Sequence, residues 1–333
     1  MKATGVGSLP GDDIDSALAL VFTELADFPH LPELPSRGPG ADMIGRTAST
    51  LVDLYVDLQP SGWRLVPRGG LDERRAQQLL ERDLDALIPV AATHDGPLKV
   101  QLAGPWTMAA SLQTEHGPAL ADPGAVRDLA ASLAEAVREH LSEVRRRAPH
   151  AELTLQLDEP SLPAVVAGAV PTTSGLSRVR AVPPADAQAV LQDVVAAAGV
   201  PVVVHCCAAD VPVDLFSAAG VAGVSLDLAT ARLDRDVLGA AMERGLELWA
   251  GVVPALGPGA PPTAREVVAP VRRLFTDLGF GPDVLLGQVV LTPACGLAGA
   301  SQGWAVTALR LVRQAANVLD DAPDTAGPRG ARA

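Results

Sequence analysis

Aromatic residues are scarce in this 333-residue chain: phenylalanine, tryptophan and tyrosine make up 3% of it, and there is a single tyrosine. The core must therefore be aliphatic, and a hydrophobic content of 48% is enough to build a large one. Lysine is nearly missing too, with two residues in a total of 26 basic ones, a bias that fits a GC-rich genome better than a function. Basic charge as a whole is outweighed, since 39 acidic residues leave a net charge of −13. That balance disfavours nucleic acid or an anionic membrane surface as partner, because both require a positive face. There is no apolar run long enough to span a bilayer, and the opening MKATGVGSLPG lacks a charged stretch followed by an apolar one. We therefore expect neither a membrane helix nor a secretory signal. Cysteine occurs only three times, an odd number that argues against a disulfide framework and for a reducing, cytoplasmic setting.

What is present is a recurring alternation of short apolar runs and helical stretches, the pattern of parallel βα units. Strands are expected near Ala3–Gly7, Leu98–Ala103, Leu153–Leu157, Val200–His205, Gly223–Asp227, Leu246–Val252 and Gln288–Leu291. A further strand near Phe28–Glu33 is interrupted by prolines, which argues against a regular one. Helices are expected over Asp12–Ala26, Asp72–Ala92, Pro123–Arg147, Pro184–Ala198, Arg235–Arg244, Ala264–Leu278 and Gln302–Leu319. About eight such strands in one chain point to an α/β fold of the closed (β/α)8 barrel type. A doubly wound sheet fits less well, because no Gly-x-Gly-x-x-Gly turn follows the first strand. We expect one catalytic barrel over residues 1–320, an insertion of loop and helix at about 32–68 folding over one barrel end, and a disordered tail over 321–333. The histidines His30, His94, His116, His140 and His150 read as surface or capping residues, and Trp63, Trp249 and Trp304 as packing.

All three cysteines fall at the ends of strand-like runs. Two follow a histidine in Val204-His205-Cys206-Cys207, and the third closes Val289 to Cys295. Thiolate and imidazole are the ligands zinc favours, and strand ends converge on one mouth of a barrel. On an extended strand His205 and Cys207 share a side and Cys206 faces away. Asp227, at the end of the sixth strand, stands where a fourth, oxygen ligand would sit. Three ligands from two strands, or four from three with Asp227, would form a thiolate-rich zinc suited to activating a substrate thiol for alkyl transfer. Hydrolysis fits less well, because the chain has no His-Glu-x-x-His pair. Other polar groups reach the same mouth. Ser8, after the glycines of Gly5-Val6-Gly7, could hold a carboxylate or simply cap a turn. The adjacent Asp158 and Glu159 are costly at a strand end unless used: an ionised Asp158 would pair with a substrate ammonium, and a helix cap is the competing role for either.

In order along the chain, Gly7-Ser8, Gly104-Pro105-Trp106-Thr107, Gln156-Leu157-Asp158-Glu159-Pro160, His205-Cys206-Cys207, Asp227 and Cys295-Gly296-Leu297 resemble the motifs of the cobalamin-independent methionine synthases. The resemblance covers most of the chain and corresponds to the C-terminal catalytic half of the full-length enzymes. It implies His205, Cys207 and Cys295 as zinc ligands, with Asp227 in place of the family's glutamate as the fourth. It implies that Ser8 and Asp158 hold the carboxylate and amino group of homocysteine, with Glu33 as a second carboxylate at the amino group and Glu159 beside them. The implied reaction is methyl transfer to the homocysteine thiol, giving methionine. Two departures bear on the methyl donor. The family's Asp-x-His segment reads Gly251-Val252-Val253-Pro254-Ala255 here, and its pterin-stacking aromatic is replaced around Ala109-Ala110-Ser111, with Trp106 the nearest substitute. Methyltetrahydrofolate and a methyl-corrinoid or corrinoid protein both remain open as donors. The other readings are a zinc enzyme acting on a different thiol, a non-catalytic zinc- or amino-acid-binding relative, and a decarboxylase-like barrel, which would need arginines at the mouth and no metal.

Overall fold

The computed structural model describes residues 1–321, so all but the first residue of the expected disordered tail lies outside the described residues. Eleven strands are assigned: β1 (Lys2–Ala3), β2 (Tyr55–Gln59), β3 (Gly62–Val66), β4 (Pro97–Ala103), β5 (Gln113–Thr114), β6 (Gly117–Pro118), β7 (Glu152–Asp158), β8 (Val202–His205), β9 (Gly223–Asp227), β10 (Glu247–Val253) and β11 (Val289–Pro293). The helices are α1 (Ile14–Glu24), α2 (Met43–Ala48), α3 (Leu71–Ala91), α4 (Pro105–Ser111), α5 (Pro123–Arg147), α6 (Leu162–Val166), α7 (Pro184–Ala198), α8 (Val213–Ala218), α9 (Arg235–Glu243), α10 (Ala264–Leu278), α11 (Pro282–Gln288) and α12 (Gln302–Asp321).

Seven strands form one parallel sheet in the order β1-β11-β10-β9-β8-β7-β4. Its edges, β1 and β4, are joined by the segment 28–33. Lys99 N donates to Pro29 O and Leu31 N to Lys99 O on one side, while Glu33 N donates to Gly7 O and Leu9 N to Glu33 O on the other. This irregular eighth strand closes the (β/α)8 barrel. Its prolines limit it to isolated bridges, His30 with Lys99 and Ser8 with Glu33. β1 is likewise shorter than the run Ala3–Gly7 suggested, because beyond Ala3 the chain leaves β11 to pair with this segment.

The helices begin and end where local chemistry dictates. Asp13 caps α1 by accepting from Asp15 N and Ser16 N, and Asp122 caps α5 through Gly124 N. Thr263 and Glu266 form a reciprocal capping box on α10. α7 and α10 stop at Gly199 and Gly279, both in the left-handed conformation that glycine adopts without a Cβ clash. The core is aliphatic, and its tryptophans Trp63, Trp249 and Trp304 are buried in packing.

The insertion contains more than a loop and helix. β2 and β3 form an antiparallel hairpin, and β3 pairs β5 to build a four-stranded sheet with β6. α2 docks on the end of β4, where Thr47 Oγ1 accepts from Ala103 N at 2.8 Å. The insertion thus reaches the end of the barrel where the candidate site lies.

Candidate metal centre

β8 ends at His205, and register pairing sets it between Asp158 of β7 and Ser225 of β9. Ser225 Oγ lies 2.9 Å from His205 Nδ1. That contact occupies one ring nitrogen and leaves Nε2, which is buried and has no hydrogen-bond partner. An orphaned buried nitrogen is expensive, and this one faces two thiols. One ligand atom each from His205, Cys207 and Cys295 can be chosen so that all three lie within 4.8 Å of one another. Cys207 follows β8, while Cys295 follows β11, carried inward by the bond of Ala294 N to Val253 O. The two thiols share a hydrogen bond, which holds Cys207 below the ordinary thiol value and pushes Cys295 up to about 12. An imidazole nitrogen with its other nitrogen fixed by a hydroxyl, together with two thiols, is a donor set that fits zinc. Cys206 is different: it is fully buried in the core, and burial pushes its thiol up to about 12.

Asp227, expected as a fourth ligand, is not part of this group. Its carboxylate turns back on its own loop, accepting from Ala229 N at 2.9 Å and Thr230 Oγ1 at 2.7 Å. An Asx turn satisfies it locally, as short acidic side chains at strand ends commonly do. Glu159 also departs from the expected substrate-facing role. Its two oxygens accept from Trp106 N, Thr107 N and Thr107 Oγ1 at 2.8–2.9 Å, so it caps the first turn of α4 from a neighbouring strand. Gly104 makes this possible, since a Cβ there would sit 2.4 Å from Glu159 Oε1. Burial pushes Glu159 up to about 7 against the pull of these donors.

Asp158, Glu33 and Ser8 do gather at the same end of the barrel. Asp158 is buried and accepts from Gln156 Nε2 at 2.7 Å. Burial raises its pKa, while the nearby His205 and Lys99 oppose that rise. Glu33 is buried with Arg46 Nε 3.8 Å away, and burial pushes it up to about 7. Ser8 packs against Gly296, next to Cys295: a Cβ on that glycine would sit 2.1 Å from Ser8 Oγ. Leu297 N donates to Ser8 O, fastening the first turn to the third cysteine's loop.

Several residues of this region were not singled out by sequence. Ser225 stands one alternation before Asp227 on β9 and carries no motif. Arg46 comes from α2 and bridges Glu33 to Asp83 of α3, which Arg37 also holds with two bonds of 2.7 and 2.8 Å. Lys99 and Gln101 are buried polar side chains of β4; Gln156 of β7, which the sequence offered only as part of the Gln156–Pro160 motif and with no role, is buried beside them. Two histidines read as surface or capping residues are in fact buried, His30 against Gly5 and His140 within α5. Trp106 is not a stacking platform: it is buried, and its indole donates to Ala187 O at 2.9 Å, which locks it between α4 and α7.

In its fold the chain is similar to two solved structures. One is a B12-independent methionine synthase from Shewanella sp. W3-18-1 in complex with selenomethionine, with 13% identity and a TM-score of 0.64 over 96% of this chain and 97% of that one. The other is a methyltransferase from Methanosarcina mazei, with 14% identity and a TM-score of 0.58 over 96% and 93% of the two chains. Among curated proteins none matches this chain by sequence. Residues 1–318 match the cobalamin-independent synthase catalytic domain, and with that match spanning nearly the whole chain the protein belongs to this family.

Proposed function

We propose that this chain is a zinc-dependent methyltransferase whose acceptor is the thiol of homocysteine and whose product is methionine. The observation that carries the reading is the convergence of His205, Cys207 and Cys295, with the orphaned His205 Nε2 directed by Ser225. Zinc bound by these three residues would keep a substrate thiol deprotonated at neutral pH and leave its sulfur nucleophilic. The chain's own residues supply the rest. Ser8, beside Cys295, offers a hydroxyl to the substrate carboxylate, and Asp158 and Glu33 offer carboxylates to its ammonium. The charges are complementary, and water is largely excluded around the buried acids, which strengthens each pairing. Methyl transfer is a displacement: the acceptor sulfur forms the new S–C bond, and the donor keeps the electron pair of the bond that breaks.

On the donor, the mouth favours a methyl-corrinoid or a corrinoid protein over methyltetrahydrofolate. The segment Gly251–Ala255 carries no histidine to protonate a folate leaving group. Trp106 is locked in packing and cannot stack on a pterin. The similarity to a structure holding selenomethionine supports an amino-acid thioether product. The test is metal analysis of reduced protein combined with X-ray absorption at the zinc edge. About one zinc per chain, gaining one sulfur neighbour when homocysteine is added, is the expected result. Zinc-free protein, or a coordination shell indifferent to homocysteine, would refute the reading.

A further inference from the structure

Below the three side chains proposed to face the substrate lies a belt of buried polar groups, Lys99, Gln101 and Gln156, to which the sequence assigns no role. Lys99 and Gln101 lie two residues apart on β4, as Gln156 and Asp158 do on β7, so each pair faces one side of its strand. The register sets Gln101 beside Gln156 and places Asp158 beside Ala103, one layer nearer the mouth. Gln156 Nε2 donates to Val6 O at 2.8 Å and to Asp158 Oδ1 at 2.7 Å, which uses both of its amide hydrogens. Lys99 Nζ donates to the same Val6 O at 2.7 Å and to Gln101 Oε1 at 3.2 Å, while Gln101 Nε2 donates to Leu31 O at 2.6 Å. Each anchored point lies two residues before, or directly on, a substrate-facing residue. Val6 precedes Ser8, Leu31 precedes Glu33, and Asp158 itself is held. Ser8 and Glu33 are moreover bridged to each other.

We infer that Gln156 is the positioning residue for amino-group recognition: one amide ties the turn that carries Ser8 to Asp158 and leaves Asp158 Oδ2 free for the ammonium. Lys99 and Gln101 brace the same arrangement from below; burial lowers the Lys99 amine to about 7, against the pull of Asp158 and Glu33, which lie within its electrostatic reach. Without the amide, Asp158 would lose the side-chain donor that holds its Oδ1 and could turn, whereas the candidate zinc ligands, at the ends of β8 and β11, would stay. This rests on the homocysteine reading and adds a residue that sets its selectivity.

The experiment compares binding of homocysteine and of 4-mercaptobutanoate, the same thiol acid without its amino group, to the zinc-loaded wild type and to Gln156→Leu by calorimetry. Wild type should prefer homocysteine by about tenfold or more, the scale of one hydrogen bond to a charged group. In Gln156→Leu the preference should collapse to within about threefold, with zinc content unchanged and 4-mercaptobutanoate weakened far less than homocysteine, because Lys99 Nζ still holds Val6 O and with it the Ser8 turn. A preference retained in the variant overturns the inference, as does equal weakening of both thiols. Wild type with no preference refutes the amino-acid reading beneath it, and the inference with it. Should Gln156→Leu fail to melt cooperatively or to hold zinc, Gln156→Asn, one methylene too short to span both acceptors, is read by the same ratio.

Discussion

His205 has one nitrogen occupied by Ser225 and one without a partner, a division that suits the proposed metal and would make three otherwise ordinary residues act as a set. Cys295→Ser should therefore abolish stoichiometric zinc and methyl transfer together, measured by metal analysis and by methionine formation. Cys206→Ser should keep both and instead lower stability by about 1–2 kcal/mol, because it places a hydroxyl in the core. Asp227→Asn should also retain zinc, since its carboxylate is spent on its own turn. Zinc loss in Asp227→Asn would show that the loop rearranges to bring that side chain onto the metal. At this scale the sequence was a good guide to which residue types meet and a poorer one to acidic side chains. A cysteine at a strand end has few competing partners, whereas Asp227 and Glu159 can satisfy backbone donors nearby, and both do.

Among the elements, α5 carries a titration signal of its own. His140 is buried on its inner face, and burial, with the charge of Arg46 adding to it, lowers its pKa to about 3. The sign follows from linkage: the folded state resists protonating this ring, so the unfolded chain binds the proton first as pH falls below about 6.5. Its contribution to stability is present above that value and is lost below it, by about 2 kcal/mol between pH 7 and pH 5. Urea unfolding at the two pH values, for wild type and His140→Leu, should show the wild type losing this extra amount and the variant not. Equal losses would mean the ring is protonated in the folded state as readily as in the unfolded one. Helix spans such as Pro123–Arg147, Pro184–Ala198 and Ala264–Leu278 were legible in advance because proline or a capping side chain starts each and, for the latter two, glycine ends it. The hairpin β2–β3 was not. Its short alternating runs sit in proline- and glycine-rich chain, and half of its sheet comes from residues some fifty positions away, at β5 and β6.

For the molecule as a whole, the candidate metal would join strand ends that are 88 residues apart in sequence, those of β8 and β11. A ligand that binds only the folded form stabilises it by mass action, about 2.7 kcal/mol at a hundredfold excess over Kd. Stripping zinc with a chelator should thus lower Tm by several degrees, restored by zinc alone, and Cys295→Ser should melt at the stripped temperature whether or not zinc is added. A Tm indifferent to chelation would remove the metal from the fold's energetics. No helix among the described residues is long and apolar enough to cross a membrane, in keeping with the interrupted apolar runs of the sequence.

The parallel barrel and the identity of the imidazole and two thiols that converge at its mouth were legible in the amino-acid sequence. Buried parallel strands must be near-continuous apolar runs, and a barrel sends every strand end to one mouth. Tertiary structure alone decided which polar groups face the mouth and which are consumed in holding the scaffold. Closure by the proline-broken segment 28–33, the capture of Glu159 by α4 and the belt from Lys99 to Gln156 all depend on partners far apart in the chain. A buried polar side chain goes to whichever donor or acceptor the packed backbone brings within about 3 Å, and no local pattern encodes that distance.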